Sequence, residues 1–197
     1  MVHLKPYIIC NNVNRKYIDV NRQSSYGSES DMTTIIWNMY HNKLDEYIQE
    51  CLTKFSHCLL IDLHGNSSTY DIIQLGYGTD TIDGEYKNLS LAYLKKKYNP
   101  YNLLYGHRSL PEMFNTNFCM IVPNKRFNTN EKIKKFSTIN HYYYGGFITQ
   151  YYSTKYNIDT IQIELSFNLR ENEKYKETAY ELAKALLQFY IINYDIS

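Results

Sequence analysis

The stretch Cys58–Gly65, with the sequence CLLIDLHG, decides the fold. Its apolar run over residues 58–63 predicts a β-strand buried on both faces, which is typical of the sheets of α/β proteins. The run stops at His64, and Gly65–Ser68 continues as a polar loop. Because binding sites in open α/β sheets form beyond the carboxyl ends of the strands, this strand end indicates a functional site.

Strand and helix patterns alternate on either side of this strand, and Gly76–Thr79 is predicted to be a turn. The other predicted strands are Pro6–Cys10, Asp71–Leu75, Asn117–Val122 and Ile158–Leu165. The predicted helices are about residues 32–55, capped by Asp31 or Thr33, then Leu89–Tyr98 and Glu173–Tyr194. This alternation predicts an α/β fold of three layers, with a mixed, mostly parallel sheet flanked by helices.

Length and composition indicate one domain over residues 1–197, since a chain of 197 residues with 44% hydrophobic residues can bury its own core. Lys and Arg total 21 against 20 for Asp and Glu, a balance that gives no reason to expect nucleic acid or a membrane as partner. The absence of a long apolar run predicts a cytoplasmic protein. The four cysteines have no CxxC spacing and are expected to be buried free thiols.

Three positions at or near strand ends carry candidate chemistry. Asp62 lies two residues before His64 and faces the same side of the strand, where it supports a metal-binding imidazole. Arg22 follows Asn21, and the pair offers a fork of donors to a carboxylate. Glu164 lies in the apolar run IQIEL and is either paired structurally or retained as a general base. Taken singly, His64 is more often a hydrogen-bonded core histidine, and Arg22 a surface salt bridge.

Three segments in order carry a resemblance to a known family. They are Tyr17–Arg22 (YIDVNR), Leu60–Gly65 (LIDLHG), and Gly145–Thr149 (GGFIT) followed by Ile161–Leu165 (IQIEL). Together they resemble the N-formylglutamate amidohydrolase family, which is related to the zinc carboxypeptidases. The resemblance runs from about Lys5 to Arg170 and implies a zinc-carboxypeptidase-like (phosphorylase/hydrolase-like) fold.

The resemblance also implies roles for individual residues. Asn21 and Arg22 would bind the free carboxylate of the substrate, His64 would be a zinc ligand, and Glu164 would be the general base. The implied reaction is hydrolysis of an amide or formamide C–N bond of a small substrate, such as an N-formylated or N-acylated glutamate, with Zn as cofactor. A mobile tyrosine that covers the substrate is expected among Tyr142, Tyr143, Tyr144, Tyr151 and Tyr152.

One departure from the family concerns the metal. The related enzymes supply two further zinc ligands, a histidine and a nearby acidic residue, ahead of the first shared strand, where this chain has only five residues before Pro6. His3 is a weak substitute, and no spacing supports His107 or His141. Two explanations are open: an absent amino-terminal segment, or loss of the metal and of activity. We favour the first, because Arg22, His64 and Glu164 persist together.

Two other functions stay open. A metallocarboxypeptidase would remove a terminal residue from a short peptide with a free carboxylate, and an inactive, metal-free module would only bind that carboxylate. Among the smaller features, His41 is expected to be a packed histidine of the first long helix. The related sequences have a polar loop at Gly106–Leu110, and lining of the substrate pocket is the less favoured of its two interpretations.

Overall fold

The computed structural model describes residues 5–78, 86, 88–115, 117–123, 144–171 and 173–194. The chain divides into two compact units, Met1–Cys58 and Leu59–Ser197. The expectation of one domain stays a prediction. No helix within the described ranges is long and apolar enough to cross a membrane.

The first unit contains the helices α1 (Ser24–Gly27) and α2 (Asp31–Phe55). The prediction of α2 is confirmed, but Asp31 and Thr33 were the wrong caps. Ser30 is the N-cap, with its hydroxyl accepting from the Thr33 backbone N–H, while the Thr33 hydroxyl accepts from the Ser30 N–H. This reciprocal capping box satisfies two backbone donors that a helix start leaves unpaired.

The predicted strand over Pro6–Cys10 is wrong. This segment has no strand, and Ile8 is 70% exposed. The ring of Tyr7 instead stacks on Tyr47 of α2 at 4.9 Å between centroids. The described part of the first unit offers this apolar run no partner strand. The run instead contacts α2 through Tyr7.

Within the described residues, the second unit contains a mixed sheet of four strands. Its strands are β1 (Leu59–Gly65), β2 (Ile72–Gly76), β3 (Met120–Val122) and β4 (Asp159–Leu165), in the order β1-β4-β2-β3. The pairs β1/β4 and β2/β3 are parallel, and β2/β4 is antiparallel. The predicted strands in these regions are confirmed, although β3 is shorter than predicted. The mixed character of the sheet is also confirmed.

Strand β1 lies at one edge of this sheet, which corrects the prediction that it is buried on both faces. Leu63 is 57% exposed, and Asp62 is the buried residue of the strand. Since β1 pairs with β4 alone among the described strands, its outer side lacks the second neighbour of an interior strand.

Helices flank the sheet. They are α3 (Pro100–Leu104), α4 (Phe147–Tyr156), α5 (Phe167–Arg170) and α6 (Lys174–Asn193), with short 3₁₀ helices at Leu94–Lys96 and Leu110–Met113. The α6 prediction is confirmed, and α4 was not predicted. The predicted helix over Leu89–Tyr98 is wrong, because Asp159 Oδ1 accepts from the backbone N–H groups of Tyr93 and Leu94 and Leu91 forms a β-bridge with Asp159.

The two faces of the sheet differ in chemistry. One face is apolar and contributes Ile161, Ile163, Ile73 and Leu75 to a buried cluster that also holds Leu182, Ala185 and Phe189 of α6. On the other face, Thr160 Oγ1 of β4 donates to the carbonyl of Thr149 in α4 at 2.6 Å. The helix α4 thus lies over the second face, which is where the candidate site residues are found.

Candidate functional site

Five polar side chains lie on one face of the sheet and form what we call the polar row: Asp62 and His64 of β1, Gln162 and Glu164 of β4, and Gln74 of β2. Asp62 is paired in register with Gln162, His64 with Glu164, and Glu164 also with Gln74. Directly paired residues on adjacent strands project to the same face of a sheet. The topology therefore gathers these side chains across three neighbouring strands.

The imidazole of His64 is held by Asp62. His64 Nε2 lies 2.8 Å from Asp62 Oδ1, as the shared face predicted. Asp62 is buried, whereas the His64 side chain is 27% exposed. A carboxylate oxygen accepts hydrogen bonds, so Nε2 is the donor in this contact. Asp62 thus fixes the orientation of the ring.

Glu164 is buried within the polar row. Its Oε1 accepts a hydrogen bond of 2.9 Å from Gln162 Nε2. None of the ion pairs between described residues includes Glu164. The bond to Gln162 is a structural partner for this carboxylate, and the role of Glu164 as a general base stays a prediction.

The loop that follows β1 is tied to the polar row and to α5. Asn66 Nδ2 donates to Gln74 Oε1 at 3.0 Å, and Arg170 Nη2 donates to the Asn66 carbonyl at 2.8 Å. A side chain at Gly65 would bring its Cβ within 2.6 Å of Arg170 Cζ. Any other residue at position 65 would displace the Arg170 guanidinium, which donates to the Asn66 carbonyl.

Asn21 and Arg22 belong to the first unit, in a loop organised by Asp19. Arg22 Nε lies 3.0 Å from Asp19 Oδ2, Arg15 Nε lies 2.9 Å from the same oxygen, and the Asn21 N–H donates to Oδ1. The ion-pair alternative for Arg22 is thus present in the structure. The Arg22 side chain is nevertheless 60% exposed, and two guanidinium groups on one carboxylate leave a net positive charge.

Side chains of helix α2 bind the backbone of this loop. Trp37 Nε1 donates to the Arg22 carbonyl at 3.1 Å, and His41 Nε2 lies 3.0 Å from the Val20 carbonyl. The ring centroids of Trp37 and His41 lie 3.8 Å apart, with the rings tilted by 30°. His41 is buried, which confirms the prediction that it is a packed histidine.

The structure therefore brings two of the three predicted positions together. His64 and Glu164 are register partners on neighbouring strands. Asn21 and Arg22 belong to the other unit, and their convergence with the polar row stays a prediction.

A zinc ion with three protein ligands does not fit the described residues. Among them, no group of three His, Cys, Asp or Glu side chains is arranged to hold a metal. Asp62 is engaged by His64, and Glu164 by Gln162, so the row offers one imidazole. A catalytic zinc usually has three protein ligands. His3 and His141 lie outside the described residues.

Sequence reasoning noted the segment Gln162–Glu164 but assigned no role to Gln162, and it missed Gln74, because the partners of a strand glutamine are known only once the register of the sheet is known. The Gly106–Leu110 loop contacts the end of α6, where Arg108 Nη1 donates to the Ile192 carbonyl at 2.7 Å. Its pocket-lining role stays a prediction.

Of the tyrosines among which a mobile, substrate-covering residue is expected, Tyr142 and Tyr143 lie outside the described residues, and Tyr152 of α4 is buried.

Comparison with known proteins gives no relative. No family model matches the chain, and neither a curated protein nor a solved structure matches it.

Proposed function

We propose that this chain hydrolyses an amide or formamide C–N bond of a small substrate that carries a free carboxylate, such as an N-formylated or N-acylated glutamate. The observation that supports this most is the placement of Glu164, a buried carboxylate fixed by Gln162 and paired in register with the Asp62-bound His64. The proposal includes the carboxypeptidase-like three-layer fold, which agrees with a mixed sheet flanked by helices.

In the proposed reaction, Glu164 takes a proton from water while the water oxygen adds to the carbonyl carbon. The C=O electron pair moves to the carbonyl oxygen and returns as the C–N bond breaks. The proton held by Glu164 passes to the leaving nitrogen, so the products are a carboxylic acid and an amine. Oε2 is the oxygen that we assign to this transfer, since Oε1 is bonded to Gln162.

Asn21 and Arg22 hold the substrate carboxylate in this proposal, because an exposed guanidinium matches a carboxylate in shape and charge. His64 is the residue proposed to bind zinc. Since the described residues do not complete a zinc site, no step of the reaction is assigned to the metal. Metal analysis of the purified chain and its thermal shift with added zinc test this part of the proposal.

The substitution Glu164→Gln tests the role of the base. It keeps the size of the side chain and removes the proton acceptor, so turnover of N-formylglutamate should fall by roughly 100-fold or more while the binding of the substrate persists. Formate release and calorimetric titration measure the two quantities. The control is Glu29→Gln, at an exposed position ahead of α2.

Two outcomes would redirect the assignment. Release of a terminal residue from peptides, without formate release, would indicate a metallocarboxypeptidase. A parent chain that binds carboxylates without turnover at any zinc concentration would indicate a binding module. One observation favours the binding module: the Asp19 loop, which carries Asn21 and Arg22, is organised by contacts within the first unit.

A further inference from the structure

Gln162 joins two parts of the candidate site. Its Oε1 accepts a hydrogen bond from the backbone N–H of Gly146, and its Nε2 donates to Glu164 Oε1 at 2.9 Å. Both Gln162 and Glu164 are buried. One side-chain amide thus links the start of α4 to the carboxylate assigned as the base.

The orientation of this amide follows from its partners. A backbone N–H only donates, so the oxygen of the Gln162 amide must face Gly146, and the NH₂ group must then face Glu164. Since an NH₂ group only donates, Glu164 Oε1 is bound as an acceptor. The Gly146 contact therefore determines which end of Gln162 the base receives.

The backbone around Gly146 is itself constrained. Gly145 has a φ of 95°, in the region that favours glycine, and a Cβ there would lie 2.8 Å from Thr149 Cγ2. Gly146 is the N-cap of α4, so its N–H lies where that helix begins. Gly145 thus allows the turn that presents the Gly146 N–H to Gln162.

We infer that Gln162 is a positioning residue, which fixes the carboxylate of Glu164 and couples its position to the Gly145–Gly146 turn. This inference rests on the proposed function of Glu164. Without the amide, Glu164 keeps its place in the strand but loses the donor that orients Oε1, so the carboxylate is present but wrongly positioned.

The substitution Gln162→Met tests this role, because methionine has a similar length and neither donates nor accepts strongly. We expect kcat for N-formylglutamate to fall by roughly 10- to 100-fold, with KM changed less than about twofold, since small displacements of a reacting group have effects of this size. The matched control is Thr160→Val, which removes another tie between α4 and β4 without touching Glu164. The control should keep its kcat.

Crystal structures of the parent and of the Gln162→Met protein give a readout that needs no turnover. We expect the Glu164 carboxylate to leave its parent position or to become disordered. An unmoved carboxylate, or an equal loss of kcat in the Thr160→Val control, would overturn the inference. If the parent shows no turnover, the proposed function fails, while the two structures still decide the positioning role. Gln162→Asn, which withdraws the amide by one methylene, replaces the methionine variant if that variant does not fold.

Discussion

Two buried carboxylates of β4, Asp159 and Glu164, have different surroundings. Asp159 accepts from Tyr194 Oη at 2.7 Å and from the backbone N–H groups of Tyr93 and Leu94. These bonds place it at the start of the 3₁₀ helix Leu94–Lys96. Burial outweighs the bonds and raises the pKa of Asp159 to about 6. Asp159 is therefore a structural acid whose charge opposes folding.

This pKa predicts how stability depends on pH. The unfolded carboxyl releases its proton near its ordinary pKa of 3.8, and the folded one near 6, so the folded state binds more protons between these values. The contribution of Asp159 to stability is thus complete below about pH 3.8 and is lost as the pH rises through 6. The shift corresponds to a free energy on the order of 3 kcal/mol.

The substitution Asp159→Asn should remove this dependence, since an amide does not ionise and its oxygen can still accept from the two backbone N–H groups. Relative to the parent, the variant should gain stability between pH 4 and pH 7, by up to about 3 kcal/mol. Urea unfolding at several pH values measures the difference. A stability difference that stays constant across that range would contradict the assigned titration.

At the scale of single residues, the sequence predicted which side chains share a face of a strand better than it predicted their hydrogen-bond partners in other strands. The period-two geometry of a strand was enough to place Asp62 and His64 on one face, and their hydrogen bond confirms it. The hydrogen bond from Gln162 to Glu164 was not predictable. The orientation of the Gln162 amide depends on its bond to the Gly146 N–H, and Gly146 lies next to Gln162 only in the folded chain.

The helix α2 is the element on which the first unit is built. Its N-terminus depends on Ser30 and Thr33, and its residues Trp37 and His41 support the loop that carries Arg22. The helix was predictable, since its apolar spacing persists over many turns. Its cap was displaced by one residue from the nearest prediction, because Ser30, Asp31 and Thr33 are all good capping residues and only the backbone geometry distinguishes them.

The substitution Ser30→Ala should destabilise the chain by about 1 kcal/mol, because one N-terminal backbone donor loses its acceptor. The control is Thr53→Ala in the same helix, where the hydroxyl bonds only the Gln49 carbonyl of its own helix. The control should be neutral or slightly stabilising, since alanine favours helix. Urea unfolding measures both variants, and equal losses of stability would argue against the capping box.

The segment Leu89–Tyr98 shows why some elements were not predictable. Its apolar residues recur at helical spacing, but Leu89, Leu91 and Leu94 are buried by contacts with the core cluster rather than on one side of a helix. The backbone donors of Tyr93 and Leu94 bind a carboxylate that lies 65 or more positions away in sequence. Local periodicity carries no information about such a partner.

At the scale of the whole molecule, the proposed binding of the substrate carboxylate by Arg22 can be tested in the full chain. If Arg22 holds the substrate carboxylate, Arg22→Ala should raise KM by roughly 10-fold or more and leave kcat nearly unchanged, since it removes a hydrogen bond to a charged group. The control is Arg15→Ala, which removes a neighbouring guanidinium on the same Asp19 oxygen. Equal effects of the two substitutions would indicate a general influence of charge instead of a specific contact.

The class of fold was predictable at this scale, and the topology was not. Alternating strands and helices predicted a mixed sheet with flanking helices. The position of β4 between β1 and β2 depends on which strands pair, and that choice is set by packing of side chains far apart in the sequence.

The insertion of β4 also sets the order in which the chain can fold. Leu59 and its register partner Asp159 are 100 positions apart, and β4 is the strand that joins β1 to the rest of the sheet. Such long-range pairing slows folding, because a large loop must close before the contacts form. During synthesis, β1 and β2 emerge long before the strand between them. Until Leu165 leaves the ribosome, the nascent chain holds two strands with unsatisfied edges and no sheet that joins them.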